Sequence, residues 1–282
     1  MIGVFGNWGQ FRHPTRIPVN LLETMVENSK IRLDRLLVDM NLAPDIKEAA
    51  ALVMAGKVSL AGERRSPTPG MQVRPGVEIT LAPKIRFVSR GGEKLAGALE
   101  LFDVDVEGAV CLDVGASTGG FTDCLLQNGA IRVYAVDSGR GQLHRKLMDD
   151  ERVISMERTN IANGIELPEQ VDIVVADVSS TSLIKVLPPA FEHFVTSRPG
   201  RRCRAVVLLK PQYEAKMSEL PRGGVITESI VHAAVIGRFV KWAGDSKIRV
   251  RSLVSSGILG EKGNREFLLL LEPWAPGQTD HE

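Results

Sequence analysis

From Ile31 onward the apolar positions first recur at helical spacing. Leu33, Leu36, Leu37 and Met40 fall on one stripe and predict a helix of three turns. Pro44 and Asp45 mark a turn and an N-cap. A second helix follows, turning Ile46, Ala49, Ala50 and Val53 inward and stopping at Gly56. Lys57–Leu60 alternates as a strand does, Ala61–Gly62 reads as a hairpin turn, and Val77–Leu81 reads as a closing strand. These elements predict a small α+β domain over residues 30–84.

Beyond Pro83 the pattern becomes an alternation of strands and helices. Strands are expected at Ala109–Val114, Val133–Asp137, Val153–Met156, Val171–Ala176, Ala205–Leu209, Ile248–Val254 and Phe267–Leu271. The first five are nearly continuous runs of Val, Ile, Leu and Ala, as in strands covered on both faces of a parallel sheet. Helices are expected at Glu93–Leu101, Gly120–Asn128, Gly141–Met148 and Ser229–Trp242. Repeated βα units predict an α/β domain over residues 93–273, a seven-stranded, mostly parallel sheet with its ligands at the carboxyl ends of the strands. Residues 85–92 read as a linker and 274–282 as a tail. Residues 1–29 hold Gly3, Gly6, Gly9, Pro14 and Pro18 without periodicity, which predicts a disordered extension lacking the apolar core of a secretory signal.

Charge adds a distinction between the two domains. The 282-residue chain carries a net charge of only +1. Residues 30–94, however, hold 12 Lys/Arg against 7 Asp/Glu, and residues 95–282 hold 21 against 25. A basic small domain on a mildly acidic large one suits a polyanion reader attached to something else. No apolar run approaches the ~20 residues a membrane span needs. Three cysteines, Cys111, Cys124 and Cys203, lack the spacing of a disulfide framework or a metal site, which predicts a cytoplasmic protein without a metal.

The run Cys111-Leu112-Asp113-Val114-Gly115-Ala116-Ser117-Thr118-Gly119-Gly120-Phe121 ends a buried strand in a glycine loop that opens a helix. Such a loop lets backbone approach a ligand closely. Its spacing is not G-x-G-x-x-G, and a carboxylate at Asp113 would repel a pyrophosphate. That carboxylate would suit the ammonium of a methionine-derived cofactor instead. Asp137 ends the next strand, where an acid can accept both hydroxyls of a ribose. Loop and acid together point to S-adenosylmethionine, with a capped strand–turn–helix as the plainer alternative.

Four charged residues sit at element ends. Asp177 follows Val-Val-Ala, and Lys210 follows Val-Val-Leu-Leu. Lys94 opens the first helix of the large domain, and Glu266 begins the last apolar run. A sugar hydroxyl is too weak an acid to be methylated unaided, so a base must take its proton. A lysine can do so when burial or a neighbouring cation favours its neutral form. Surface placement is the commoner fate of such charges.

On these residues the chain resembles the hemolysin-A-like (TlyA) family of RNA methyltransferases, over Lys30–Glu272. The stretch from Arg32-Leu33-Asp34 to Gly56-Lys57-Val58 is similar to the RNA-binding module named after ribosomal protein S-four. The rest is similar to FtsJ-like ribose methyltransferases, through Val88-Ser89-Arg90-Gly91-Gly92-Glu93-Lys94-Leu95, the Asp113–Phe121 loop, Leu209-Lys210-Pro211-Gln212-Tyr213-Glu214 and Asn264-Arg265-Glu266-Phe267. The resemblance implies a Rossmann-like class I methyltransferase domain and 2′-O-methylation of ribosomal RNA, with cytidine as the nucleotide and ribosomal subunits as partners. It implies a catalytic set of Lys94, Asp177, Lys210 and Glu266, with Lys210 the proton acceptor, Lys94 and Asp177 holding the hydroxyl, and Glu266 orienting a lysine. The cofactor set implied is Asp113, Gly115, Ser117, Thr118, Gly119, Gly120, Phe121 and Asp137. RNA contacts are expected from Arg32, Arg35, Lys47, Lys57, Arg64, Arg65 and Arg90. Two departures stand out: Asp45-Ile46 replaces the family's Ser-Arg, and Phe87 with Ile85 stands where the linker has Trp and Arg. Rival readings are an idle RNA-binding assembly factor and a pore-forming toxin. The intact charged set speaks against the first, and the missing export signal and barrel pattern against the second.

Overall fold

The computed structural model describes residues 30–63, 65–81, 86–194 and 203–273. The chain divides between residues 84 and 85 into two units, each with its own core. The expected extension at 1–29 and tail at 274–282 lie outside the described residues.

The small unit runs β1 (Ile31–Arg32), α1 (Leu33–Asp39), α2 (Ile46–Met54), β2 (Val58–Leu60), β3 (Gln72–Val73) and β4 (Ile79–Leu81). Leu33, Leu36 and Leu37 are buried as the stripe requires, but α1 has only two turns. Asp45 caps α2 by accepting the Glu48 N–H at 2.8 Å. Ala49 and Val53 face the core, whereas Ile46 on the first turn is 47% exposed, contrary to the inward position expected. Ala61–Gly62 is not a hairpin turn. The chain first makes β3, antiparallel to β1, and only then returns as β4 to pair Val58 with Leu81 and Leu60 with Ile79.

The large unit opens with α3 (Arg90–Leu101), followed by β5 (Val110–Val114), α4 (Gly120–Gln127), β6 (Arg132–Val136), α5 (Arg145–Met148) and β7 (Val153–Met156). Then come β8 (Ile173–Ala176), α6 (Leu183–Phe191), β9 (Arg204–Leu209), α7 (Pro211–Glu214), α8 (Ser229–Asp245), β10 (Ile248–Ser255) and β11 (Phe267–Pro273). All seven expected strands form one sheet in the order β7-β6-β5-β8-β9-β11-β10. Neighbours are parallel from β7 to β9, and β11 is antiparallel to both β9 and β10. The two-sided burial of β5, β8 and β9 explains their uninterrupted apolar runs.

Four helices differ from the sequence reading, the one-turn α7 among them because no helix was expected there. Helix α3 starts at Arg90 because Ser89 caps it, its Oγ accepting the Gly91 N–H at 3.3 Å. Lys94 therefore lies in the second turn rather than at the opening. Helix α5 is confined to its last turn, capped by His144. Helix α6 was not expected, since it contains Pro188 and Pro189. Both prolines fall in its final turn, and burial of Leu183, Val186, Leu187 and Ala190 outweighs the lost N–H groups.

Candidate active site

At the centre of the sheet β5 and β8 are neighbours, while the chain leaves β5 for β6 on the opposite side. This is the switch point of a doubly wound sheet, where a crevice opens at the strands' carboxyl ends. The loop after β5 is shaped for it. Gly115 has φ of 83°, and its N–H and that of Ala116 donate to Val136 O at 2.8 and 3.1 Å. A Cβ at Gly115 would stand 2.7 Å from Asp177 O, so only glycine lets the ends of β5 and β8 meet. Asp137 accepts the Ser117 N–H at 2.8 Å on Oδ2 and the Gly139 N–H at 2.6 Å on Oδ1. Each oxygen keeps a lone pair for a further donor.

Gly119 and Gly120 also answer a packing demand within the protein. A Cβ on Gly119 would overlap Leu147 Cδ1, and one on Gly120 would overlap Ser89 Oγ. These glycines seat the loop against α5 and the cap of α3. Gly119 lines neither cavity described next, whereas Gly120 lines one.

Two cavities flank the loop. One, of about 330 Å³, has apolar walls from Val114, Val136, Ile161, Val178 and Val186, with Asp137, Thr159 and Asn160 at its polar side. A carboxylate beside an apolar slot fits a nucleoside. The other, of about 240 Å³, is lined by Lys94, Asp177, Lys210 and Glu266 together with Arg90, Thr118, Phe121, Gln212 and Tyr213. Gly115, Ser117, Asp177 and Ser179 line both, so the cavities share a wall.

The four charges from separate elements form two ion pairs. Lys94 Nζ donates to Glu266 Oε2 at 2.5 Å, with side-chain exposures of 10% and 2%. Lys210 Nζ stands 2.8 Å from Asp177 Oδ1, a contact of charge without hydrogen-bond alignment, and donates to Ser179 Oγ at 2.7 Å. Each lysine thus faces a carboxylate. Ser179 escaped the sequence reading, because a serine in a Ser-rich loop after β8 carries no local signal of facing β9. A Cβ at Gly260 would overlap Glu266 Oε1, so that carboxylate occupies space that only a glycine at 260 leaves free. Phe87, the counterpart of the linker aromatic, is buried with its ring against Gly92, and Ile85 lies outside the described residues.

Asp113 behaves differently. It is wholly buried and lines neither cavity; Oδ2 accepts the Thr122 hydroxyl at 2.6 Å and Oδ1 has no hydrogen-bond partner among the described residues. Burial raises its carboxyl to about 7 from 3.8, Thr122 opposing and the Asp177 charge adding to the rise. The sign follows by linkage. Below about 4 both folded and unfolded chains are protonated here; between about 4 and 7 only the unfolded chain ionises, so stability falls as pH rises through that window. Asp113→Asn, neutral throughout, should remove this part of the slope, measured as urea midpoints at about pH 4 and 7. An unchanged slope would show that Asp113 does not titrate there.

In the small unit Arg35, Lys47 and Arg65 are exposed and Lys57 is half-buried. Arg32 spends two donors on the buried Asp34, at 3.0 and 2.6 Å. Arg64 lies outside the described residues.

A seven-stranded sheet with an antiparallel β11, a glycine loop at its switch point and paired cavities there define a class I methyltransferase fold. The FtsJ-like methyltransferase model matches residues 87–272, and the S4 domain model matches residues 31–79. The chain belongs to the FtsJ-like methyltransferase family, among relatives of the TlyA and hemolysin A type. It is 40% identical to the proposed rRNA methyltransferase YqxC of Bacillus subtilis, across 90% of each chain. It is 38% identical to the 16S/23S rRNA (cytidine-2′-O)-methyltransferase TlyA of Mycobacterium tuberculosis, across 89% of this chain and 91% of that one. The solved structure of a proposed hemolysin from Streptococcus thermophilus superposes with a TM-score of 0.67 at 38% identity, covering 90% of this chain and 92% of that one.

Proposed function

We propose that this protein methylates the ribose 2′-hydroxyl of a cytidine in ribosomal RNA, using S-adenosylmethionine, in the cytoplasm. The observation that carries the reading is the wall shared by the two cavities at Gly115, Ser117, Asp177 and Ser179. It brings a nucleoside-shaped slot against a cluster of two lysines and two carboxylates. The M. tuberculosis relative, similar along nearly its whole length, supplies the substrate class.

Asp137 would hold the cofactor's ribose, and Gly115, Ser117 and Thr118 would frame its methionine end. The apolar walls at Val136, Ile161 and Val178 would take the adenine. The buried Asp113 would act from beneath, by fixing the loop through Thr122. When bound, the cofactor supplies an electrophilic methyl group. The protein's own part is to prepare the acceptor oxygen. Lys210 takes the hydroxyl proton, with Asp177 and Ser179 fixing the position of its Nζ. Lys94 holds the same oxygen as a donor, kept in place by Glu266. Arg35, Lys47, Lys57 and Arg65, with Arg90 at the cavity rim, meet RNA phosphates.

The test is to incubate the full chain with methyl-labelled cofactor and separated ribosomal subunits, then map the label. It should appear on a cytidine ribose, recognised by resistance of the adjacent phosphodiester to alkali. Replacing Arg35 and Lys57 by Ala should lower the salt slope of RNA binding by up to about one unit per lost phosphate contact. No label in either subunit's RNA would favour the idle assembly factor, and label on a base would exclude ribose chemistry.

A further inference from the structure

Two side chains in the cavity of the charged set take no part in its ion pairs. Gln212 Oε1 is buried without a hydrogen-bond partner among the described residues. Tyr213 lines the same cavity and is 38% exposed, a large apolar surface left open to solvent. A buried acceptor left unmade is costly, and it is commonly met where a ligand completes the bond. An open aromatic ring beside it is the usual platform on which proteins stack single-stranded bases.

Their position follows from the chain. Lys210 follows β9 as the N-cap of α7, and Gln212 and Tyr213 lie on the turn it opens, the Tyr213 N–H donating to Lys210 O at 2.9 Å. The turn is anchored from behind, since the Glu214 carboxylate accepts the Ser182 hydroxyl and the Leu183 N–H, both at 2.6 Å. In a nucleotide the base is bonded to C1′, one carbon from the C2′ that bears the hydroxyl. Side chains that hold a 2′-hydroxyl therefore have its base within one residue's reach.

We propose that Gln212 and Tyr213 form the seat of the target nucleobase. Tyr213 stacks on its face, and Gln212 Oε1 accepts a hydrogen bond from an exocyclic amino group. This rests on the ribose methyltransferase reading above and adds base selection to it. Cytosine offers an amino group at C4 where uracil has a carbonyl, so the seat favours cytidine.

The experiment uses the full chain and RNA whose methylated cytidine has been mapped, with a second RNA carrying uridine at that position. The wild type should prefer cytidine by about tenfold, the value of one well-made hydrogen bond to a base edge. Gln212→Leu should lower kcat/KM for the cytidine RNA by about tenfold and bring the two RNAs to near parity. Tyr213→Ala should lower kcat/KM for both by about tenfold or more, and Tyr213→Phe, which keeps the ring, should recover most of that loss. Calorimetric affinity for S-adenosylmethionine should be the same in all three variants. The proposal is overturned if Gln212→Leu and Tyr213→Ala keep wild-type kcat/KM and cytidine preference, or if their losses track lost cofactor affinity or a lost fold. In those cases a wild type that still makes 2′-O-methylcytidine leaves the ribose reading standing. A wild type that makes none removes that reading, and the base seat with it.

Discussion

Lys210→Ala should lower turnover by roughly 10²–10⁴-fold while leaving the fold and cofactor affinity close to wild type, the range for loss of a positioned general base. Lys210 directly follows β9, a strand buried from Ala205 to Leu209, and its side chain is 12% exposed between Asp177 and Ser179. Its partner Asp177 is 23% exposed against 2% for Glu266, so the carboxylate left behind stays in reach of water and truncation should cost chemistry more than stability. Lys210→Arg should be nearly as inactive, because a guanidinium does not give up its proton near neutral pH. Single-turnover methyl transfer to rRNA, with cofactor affinity measured alongside, separates these effects. Near-normal turnover in Lys210→Ala would remove Lys210 from the role of base.

The second large effect concerns the fold. Lys94→Ala should destabilise the protein by about 3–5 kcal/mol, because it leaves a buried carboxylate without its cation. Glu266 is 2% exposed and its partner Lys94 is 10% exposed, so the carboxylate has little water to turn to once its cation is gone. Replacing both partners, as Lys94→Met with Glu266→Leu, should restore most of that stability, since apolar groups of similar volume need no pairing. The double variant should still be inactive, its hydroxyl-holding donor being gone. Urea midpoints of the single and double variants, read against methyl transfer, decide the matter. If Lys94→Ala unfolds at the wild-type midpoint, the pair does not anchor Glu266. If the double variant is active, the pair serves stability alone.

These expectations differ in how far the sequence foretold them. All seven strands of the large unit were readable, most of them because strands covered on both faces leave continuous apolar runs; β7 and β10 are exposed in part and lack that mark. The same contrast exposed Asp137, Asp177 and Lys210, each a charge ending an apolar run, while Asp113 stood out two residues before the first glycine of the loop. The glycine loop was legible too, since its spacing excludes a pyrophosphate loop. Helix α6 was not, because two prolines are a local veto that only burial of its other face overrides. The hairpin expected at Ala61–Gly62 failed for a related reason: β2 finds its partner after an intervening strand, and turn residues do not encode which strand returns.

Side-chain partners were the least legible. Lys94 and Glu266 are 172 positions apart and meet only because β11 inserts between β9 and β10. Asp113 and Asp137 were both read as cofactor-holding acids, yet one is sealed beneath the loop and the other opens on a cavity. Gly119 and Gly120 read as ligand-approach glycines, and only the fold shows that they also seat the loop against Leu147 and Ser89. Local periodicity and strand-end charges therefore determined the elements, the class of fold and the residues worth watching. Which charges pair, which face solvent and which stay dry was decided by strand order alone, because contacts between distant segments leave no periodic trace in either.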